Sequence, residues 1–132
     1  MGITNLKSNI AELAVAAECA KNNWVVCFPF GENTPYDILV DTGERFLKVQ
    51  IKYVSTKDDV LNVPLKSTTG VTYKNTVDII AAYCPDNSKI YWVDLSKEEI
   101  NNNSTYIVLR HTLPKNNQVK GVRMSEDYLM RV

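Results

Sequence analysis

The chain has one histidine, three cysteines, five glycines and five prolines in 132 residues, and its 15 basic side chains are balanced by 15 acidic ones. Each shortage excludes something. With His111 alone, chemistry that needs two histidines, or a Cys–His pair on a metal, lacks its parts. Cys19, Cys27 and Cys84 are an odd number, widely spaced and without a CxxC pair. They read as reduced, mostly buried thiols of a cytoplasmic protein, and not as a disulfide frame or a zinc site. No apolar run approaches the ~20 residues that a bilayer span requires. Met1–Lys7 has no basic, apolar, small-residue progression, so a secretory leader is not expected. No repeat, low-complexity tract or linker divides the chain.

What is present is ordinary for a globular protein: 45% hydrophobic and 23% charged residues, over a length that suits one domain. The charge is unevenly placed. Residues 1–44 hold two lysines against six acids, and residues 45–77 hold six bases against two acids. The balance is acidic again over residues 78–102. It turns basic after residue 103 through Arg110, Lys115, Lys120, Arg123 and Arg131. A neutral protein of this kind can present a basic face beside an acidic pocket, although a scatter of solvated charges would look the same.

Residues 7–22 have helical periodicity, with Leu6, Ile10, Leu13, Ala14 and Ala17 on one stripe. Ala11, Val15, Ala16 and Cys19 make the other faces apolar, so the helix should be largely enclosed. Glu12 and Glu18 are the only charges between Ala11 and Ala20. Asn22-Asn23 closes the helix, and Trp24–Phe28 reads as a short strand. After the turn residues Phe30–Pro35 comes a hairpin: Tyr36–Asp41, a turn at Thr42–Glu44, then Phe46–Val54. On its second strand Lys48, Gln50 and Lys52 share one face, opposite Leu47, Val49, Ile51 and Tyr53. Further strands are expected near Val60–Pro64, at Val77–Tyr83, at Lys89–Asp94 and at Tyr106–His111. Ser96 with Glu99 forms a capping-box pattern for a helix over Ser96–Asn101. Met124, Tyr128, Leu129 and Met130 mark a terminal helix. The order implies an α/β or α+β domain around one sheet.

The chemistry concentrates around the hairpin. Asp37 opens its first strand, Gln50 and Lys52 lie on one face of the second, and Glu12 interrupts an apolar helix. Several such groups turned inward need a shared counter-ion. Two carboxylates and an amide oxygen are hard ligands that suit Mg²⁺, and a neighbouring lysine can orient the attacking water or neutralise charge on phosphorus.

These residues resemble the signature of PD-(D/E)XK nucleases: Glu12, then Pro35-Tyr36-Asp37, then Gln50-Ile51-Lys52. The pattern is most similar to the small group I intron-encoded homing endonucleases of that superfamily, whose PFG-like turn, YDILVD-like strand, VQIK-like strand and VDIIAAY…KIYWV segment all have counterparts in the first 95 residues or so. The resemblance implies a restriction-endonuclease-like α/β fold over residues 1–132, a central mixed four-stranded sheet flanked by helices, and Mg²⁺-dependent double-strand DNA cleavage, with Mn²⁺ as a substitute. It makes Asp37 the principal metal ligand, Gln50 the second, Glu12 the supporting acid and Lys52 the catalytic lysine. Two departures accompany it: Tyr36 splits the Pro–Asp pair, and Gln50 stands where most of the superfamily has an acid, a change shared with the homing group.

Arg45, Lys48, Lys57, Lys66 and Lys74, with the basic tail, are the candidates for tracking DNA phosphates, and the segment Lys57–Thr72 is a candidate for reading bases. One small module covers too little DNA for a rare site, so a homodimer or homotetramer is expected, with Met124, Leu129 and Met130 as candidate contacts. A junction resolvase on the same core, or a binding module that does not cut, is the alternative. Asp78 reads as a local cap or pair, Glu18 as structural, and His111 as a satisfied histidine. Asp41-Thr42-Gly43 is the triplet of aspartic proteases, but Glu44-Arg45 extends it into a charged hairpin tip, and Asp-Thr-Gly is ordinary turn chemistry.

Overall fold

The structure, a computed structural model, describes residues 3–31, 33–116 and 120–130. Glu32 of the turn and Arg131 of the basic tail fall outside them.

Helix α1 (Ile3–Lys21) leads into β1 (Val25–Cys27), β2 (Ile38–Asp41), β3 (Phe46–Tyr53), β4 (Val60–Pro64), β5 (Ile79–Cys84), β6 (Lys89–Asp94) and β7 (Tyr106–Arg110). The helix stops where the asparagine pair predicts. Asn23 takes a left-handed φ of 62°, the amide of Trp24 donates to the Cys19 carbonyl and that of Asn23 to the Ala20 carbonyl. This is a Schellman ending, with Asn in the place usually taken by glycine.

Five strands form the main sheet in the order β1-β2-β3-β5-β6, and β4 pairs with β7 in a separate two-stranded ribbon. All neighbours in the main sheet are antiparallel except β3 and β5, which run parallel with Gln50 opposite Ile80 and Lys52 opposite Ala82. The expected single sheet of four strands is thus corrected to five strands plus a ribbon. The flanking helices are corrected too: among the described residues α1 is the one α-helix, and it covers one face only. The ribbon covers the β5 and β6 part of the other face. Leu61, Val63, Ile107 and Leu109 alternate inward from it to meet Ile80, Ala82, Tyr91 and Val93. Each ribbon strand is too short to signal a partner whose paired residues lie 42 to 50 positions away in sequence.

The helix face is also corrected. Its buried side chains are Ala11, Val15 and Cys19, while Leu6, Ile10 and Leu13 are 49%, 46% and 72% exposed. The sheet supplies the bulk here, through Ile38, Val40, Val49 and Trp92, so close packing selects the small residues of α1. A helix that is apolar all round does not reveal this choice by its periodicity.

Two further helices are replaced by single turns. Asp94, and not Ser96, caps the turn Leu95–Lys97: the amide and hydroxyl of Ser96 both donate to Asp94 Oδ1, at 3.0 and 2.6 Å. The capping box fails because its Ser already has another partner. The tail forms a turn over Ser125–Tyr128, with the partly buried Leu129 and Met130 packed against this chain's own two cores. Arg123 pairs with Glu98 at 2.8 Å.

Candidate active site

The site arises from the way the β2–β3 hairpin opens. Pairing on that side of β3 ends with Ile38 opposite Val49, followed by the amide of Asp37 donating to the Val49 carbonyl at 2.9 Å. The chain before it turns away through Pro35. The edge of β3 from Gln50 onward is left open beside α1, and the carboxylate of Asp37 takes the place of the departed strand by accepting the Ile51 amide at 2.7 Å.

From this edge side chains go both ways. Ile51 is buried toward α1, and Gln50 and Lys52 alternate to the ribbon side. Glu12 follows buried Ala11 on the helix. All four candidate residues, Glu12, Asp37, Gln50 and Lys52, line one cavity of about 410 Å³. Lys7, Ser8 and Tyr53 line it as well.

Burial pushes the Asp37 carboxyl up from its ordinary value, although the Ile51 amide and the Lys52 ammonium both pull it down. Glu12 is pushed up by loss of water and then by the Asp37 charge. Two carboxylates that repel each other in a partly dry cavity, next to an amide oxygen, form a set that a hard cation would relieve. Among the described residues no group of three His, Cys, Asp or Glu side chains gathers, so Gln50 is the third side-chain oxygen donor of this set. Lys52 is half-buried, with its Nζ 4.9 Å from the ring centre of Tyr73.

The five basic candidates for DNA do not gather here. Lys48 is exposed on the Gln50–Lys52 face of β3. Arg45 sits at the hairpin tip, about 16 Å of strand from Gln50 at ~3.3 Å per residue. Lys57 follows β3 in a local bridge to Val60, Lys66 bridges to Thr72, and Lys74 is exposed in the turn Tyr73–Asn75. Arg45 and Lys74 share a surface cleft with Asp78, Asp94 and Glu98. A second cation that borders the cavity beside Lys52, Lys7, is one that sequence reasoning passed over. Its i,i+4 spacing from Ala11 places it on that residue's helix face, so the signal was there to be used. Its Nζ lies 5.6 Å from the ring centre of Tyr53.

Other sequence readings resolve locally. Asp78 accepts the Lys48 amide at 2.8 Å and its own amide donates to the Lys48 carbonyl, tying the start of β5 to β3. Both ring nitrogens of His111 meet hydroxyls, Thr56 at 3.0 Å and Ser125 at 2.9 Å. Asp41 accepts the Gly43 amide within the hairpin turn. Cys19 and Cys84 are buried, and none of the three cysteines is disulfide-bonded.

Fold and cavity together define a class: an α/β protein with an acid, an amide and a lysine at an opened strand edge, and a second acid on the helix behind it. The chain belongs to the PD-(D/E)XK endonuclease family, whose sequence profile matches residues 3–131; it is an endonuclease, a phosphodiester hydrolase acting on DNA. It is similar to the bacterial homing endonuclease I-Ssp6803I, at 27% identity and a TM-score of 0.73, over 98% of this chain and 88% of that one. It is also similar to the Holliday junction resolvase Hjc of Archaeoglobus fulgidus, at 14% identity and a TM-score of 0.51, over 74% of this chain and 84% of that one. The second likeness concerns the fold alone. No curated protein matches the sequence. No helix among the described residues is long and apolar enough to cross a membrane.

Proposed function

We propose that the protein is a divalent-metal-dependent homing-type endonuclease that makes site-specific cuts in double-stranded DNA, with residues 1–132 as one nuclease domain working in the cytoplasm. The observation that carries this reading is the meeting of Glu12, Asp37, Gln50 and Lys52 at one cavity. The likeness to a homing endonuclease along nearly the whole chain supports the same class.

Glu12, Asp37 and Gln50 would hold Mg²⁺ or Mn²⁺, which when bound supplies Lewis acidity and neutralises charge on the phosphate. The neutral amide of Gln50 leaves the site with less negative charge than three carboxylates would give. Binding is correspondingly weaker, and a working concentration of Mg²⁺ in the millimolar range is expected. Asp37 is held by the Ile51 amide, so its carboxylate is oriented before the substrate arrives. Lys52 projects from the same strand, two residues beyond Gln50. Its ammonium orients the attacking water for in-line displacement and faces the negative charge that builds up on phosphorus.

Cutting both strands calls for two such sites related by a two-fold axis, in a homodimer or a pair of dimers. The surface that fits a second copy is the outward stripe of α1. There Leu6, Ile10 and Leu13 recur with helical spacing and are 46–72% exposed.

The direct test is conversion of a supercoiled plasmid to nicked and linear forms. The wild type cuts in Mg²⁺ and not in EDTA. Lys52→Ala loses at least about a hundredfold in rate while binding DNA within a few fold. A four-way junction serves as the competing substrate, and cleavage of the junction without cleavage of duplex would overturn the homing assignment. An undiminished rate in Lys52→Ala would remove that residue from catalysis.

A further inference from the structure

Lysine is a flexible cation with four rotatable side-chain bonds, and one that acts at a reacting phosphate must be confined. Lys52 receives no ion pair within 4.0 Å among the described residues. What it does have is an aromatic platform: its Nζ stands 4.9 Å from the centre of the Tyr73 ring, inside the range of a cation–π contact. We infer that Tyr73 is a positioning residue for Lys52, holding its ammonium on the ribbon side of the cavity. This rests on the reading of Lys52 as the catalytic lysine.

Tyr73 is built to hold still. It is only 6% exposed, and its amide donates to the Leu65 carbonyl at 2.9 Å. Its own carbonyl accepts the amides of Thr76 and Val77 at 3.1 and 3.0 Å. The Thr72 side chain caps the turn by accepting the Lys74 amide. Backbone bonds on both sides therefore fix its main chain, and burial in the core holds the ring, independently of Lys52. The segment from Lys66 to Val77, irregular in sequence, thereby acquires a role: it carries a ring from the far side of the β3–β5 crossover to the catalytic strand. Asp37 draws the ammonium toward the acids and the ring holds it back, so the lysine stays beside the carboxylate cluster without collapsing into it.

The test compares Tyr73→Phe, which keeps the ring, with Tyr73→Leu and the unbranched, more flexible Tyr73→Met, which remove it. Single-turnover cleavage of supercoiled plasmid in Mg²⁺ gives a maximal rate and a half-saturating enzyme concentration. Phe is expected within twofold of wild type. Leu and Met are expected about tenfold slower, a change worth ~1.4 kcal/mol, with half-saturation unchanged. Val63→Ala, a change in the same hydrophobic core as Tyr73, controls for lost stability and should keep the rate well below its melting temperature. A second readout needs no turnover. In metal-free protein carrying ¹³C-lysine, the Lys52 ε-methylene resonance is shifted by the aromatic ring in wild type and Phe, and returns to the ordinary lysine position in Leu and Met. The proposal fails if Phe loses as much rate as Leu, if folded Met keeps the full rate, or if the resonance does not move. Cleavage surviving in Lys52→Ala would instead remove the lysine's catalytic role, whatever the resonance shows.

Discussion

Replacing Asp37 with asparagine keeps the shape of the side chain and an oxygen able to accept the Ile51 amide, but removes one of two negative charges that face the cavity. In the metal-free wild type both carboxyls titrate above their ordinary values of 3.8 and 4.5. The folded protein therefore binds those protons more tightly than the unfolded chain does. Stability falls as the pH rises from those ordinary values through the raised ones, and the cost remains in full at neutral pH. Asp37→Asn should thus melt higher than wild type at pH 7 in EDTA, and the difference should vanish below about pH 4. Magnesium reverses the order. An ion that binds only the folded state, at ten times its dissociation constant, stabilises by about 1.4 kcal/mol through mass action. For a domain of this length that raises the melting temperature by roughly 5 °C. The wild type should gain this shift on titration with Mg²⁺, measured by differential scanning calorimetry, and Asp37→Asn should gain less than about 1 °C. Equal Mg²⁺ shifts in the two proteins, or a metal-free Asp37→Asn that melts lower at neutral pH, would refute the argument that these acids form a strained pair awaiting a cation.

Two other consequences concern binding and assembly. Lys7→Ala should weaken DNA binding in Ca²⁺-containing buffer and flatten the dependence of log K on log salt by about 0.9, the signature of one lost phosphate contact; an unchanged slope would place Lys7 off the DNA path. Leu13→Glu puts a charge in the middle of the exposed stripe of α1 and should shift the sedimentation coefficient of the oligomer to that of a monomer, while circular dichroism stays that of the folded protein.

The parts of the site that lie within one hairpin were legible because a strand's two-residue alternation assigns faces without help from the rest of the chain. Gln50 and Lys52 on one face, Ile51 on the other, and a bend before Asp37 at Pro35 all follow from local rules. The helix was legible as a helix down to its Asn22-Asn23 ending, but not in its orientation. With apolar residues on every side, the bulk of Ile38, Val40 and Trp92 across the interface decided that Ala11 and Val15, and not Leu13, face inward. That rotation also sets Glu12 at the cavity. The ribbon was legible as two strands and illegible as a pair, since the register Leu61 opposite Leu109 is set by the sheet face both strands cover. Tyr73 carried no local sign at all. Its place beside Lys52 depends on a hydrogen bond to Leu65 and on a crossover of two dozen residues, a relation visible only in three dimensions. The Ser96 capping pattern misled for the opposite reason: a local rule was satisfied, and a nearer acceptor, Asp94, took the serine first.

The most direct measurement is the occupancy of the cavity between α1 and the open edge of β3. Crystals soaked in Mn²⁺ and measured at the manganese absorption edge should show an anomalous peak bounded by Glu12, Asp37 and Gln50, with Lys52 beside it, and no such peak in Asp37→Asn. A peak elsewhere on the molecule, or a cavity that stays empty at millimolar Mn²⁺, would contradict it.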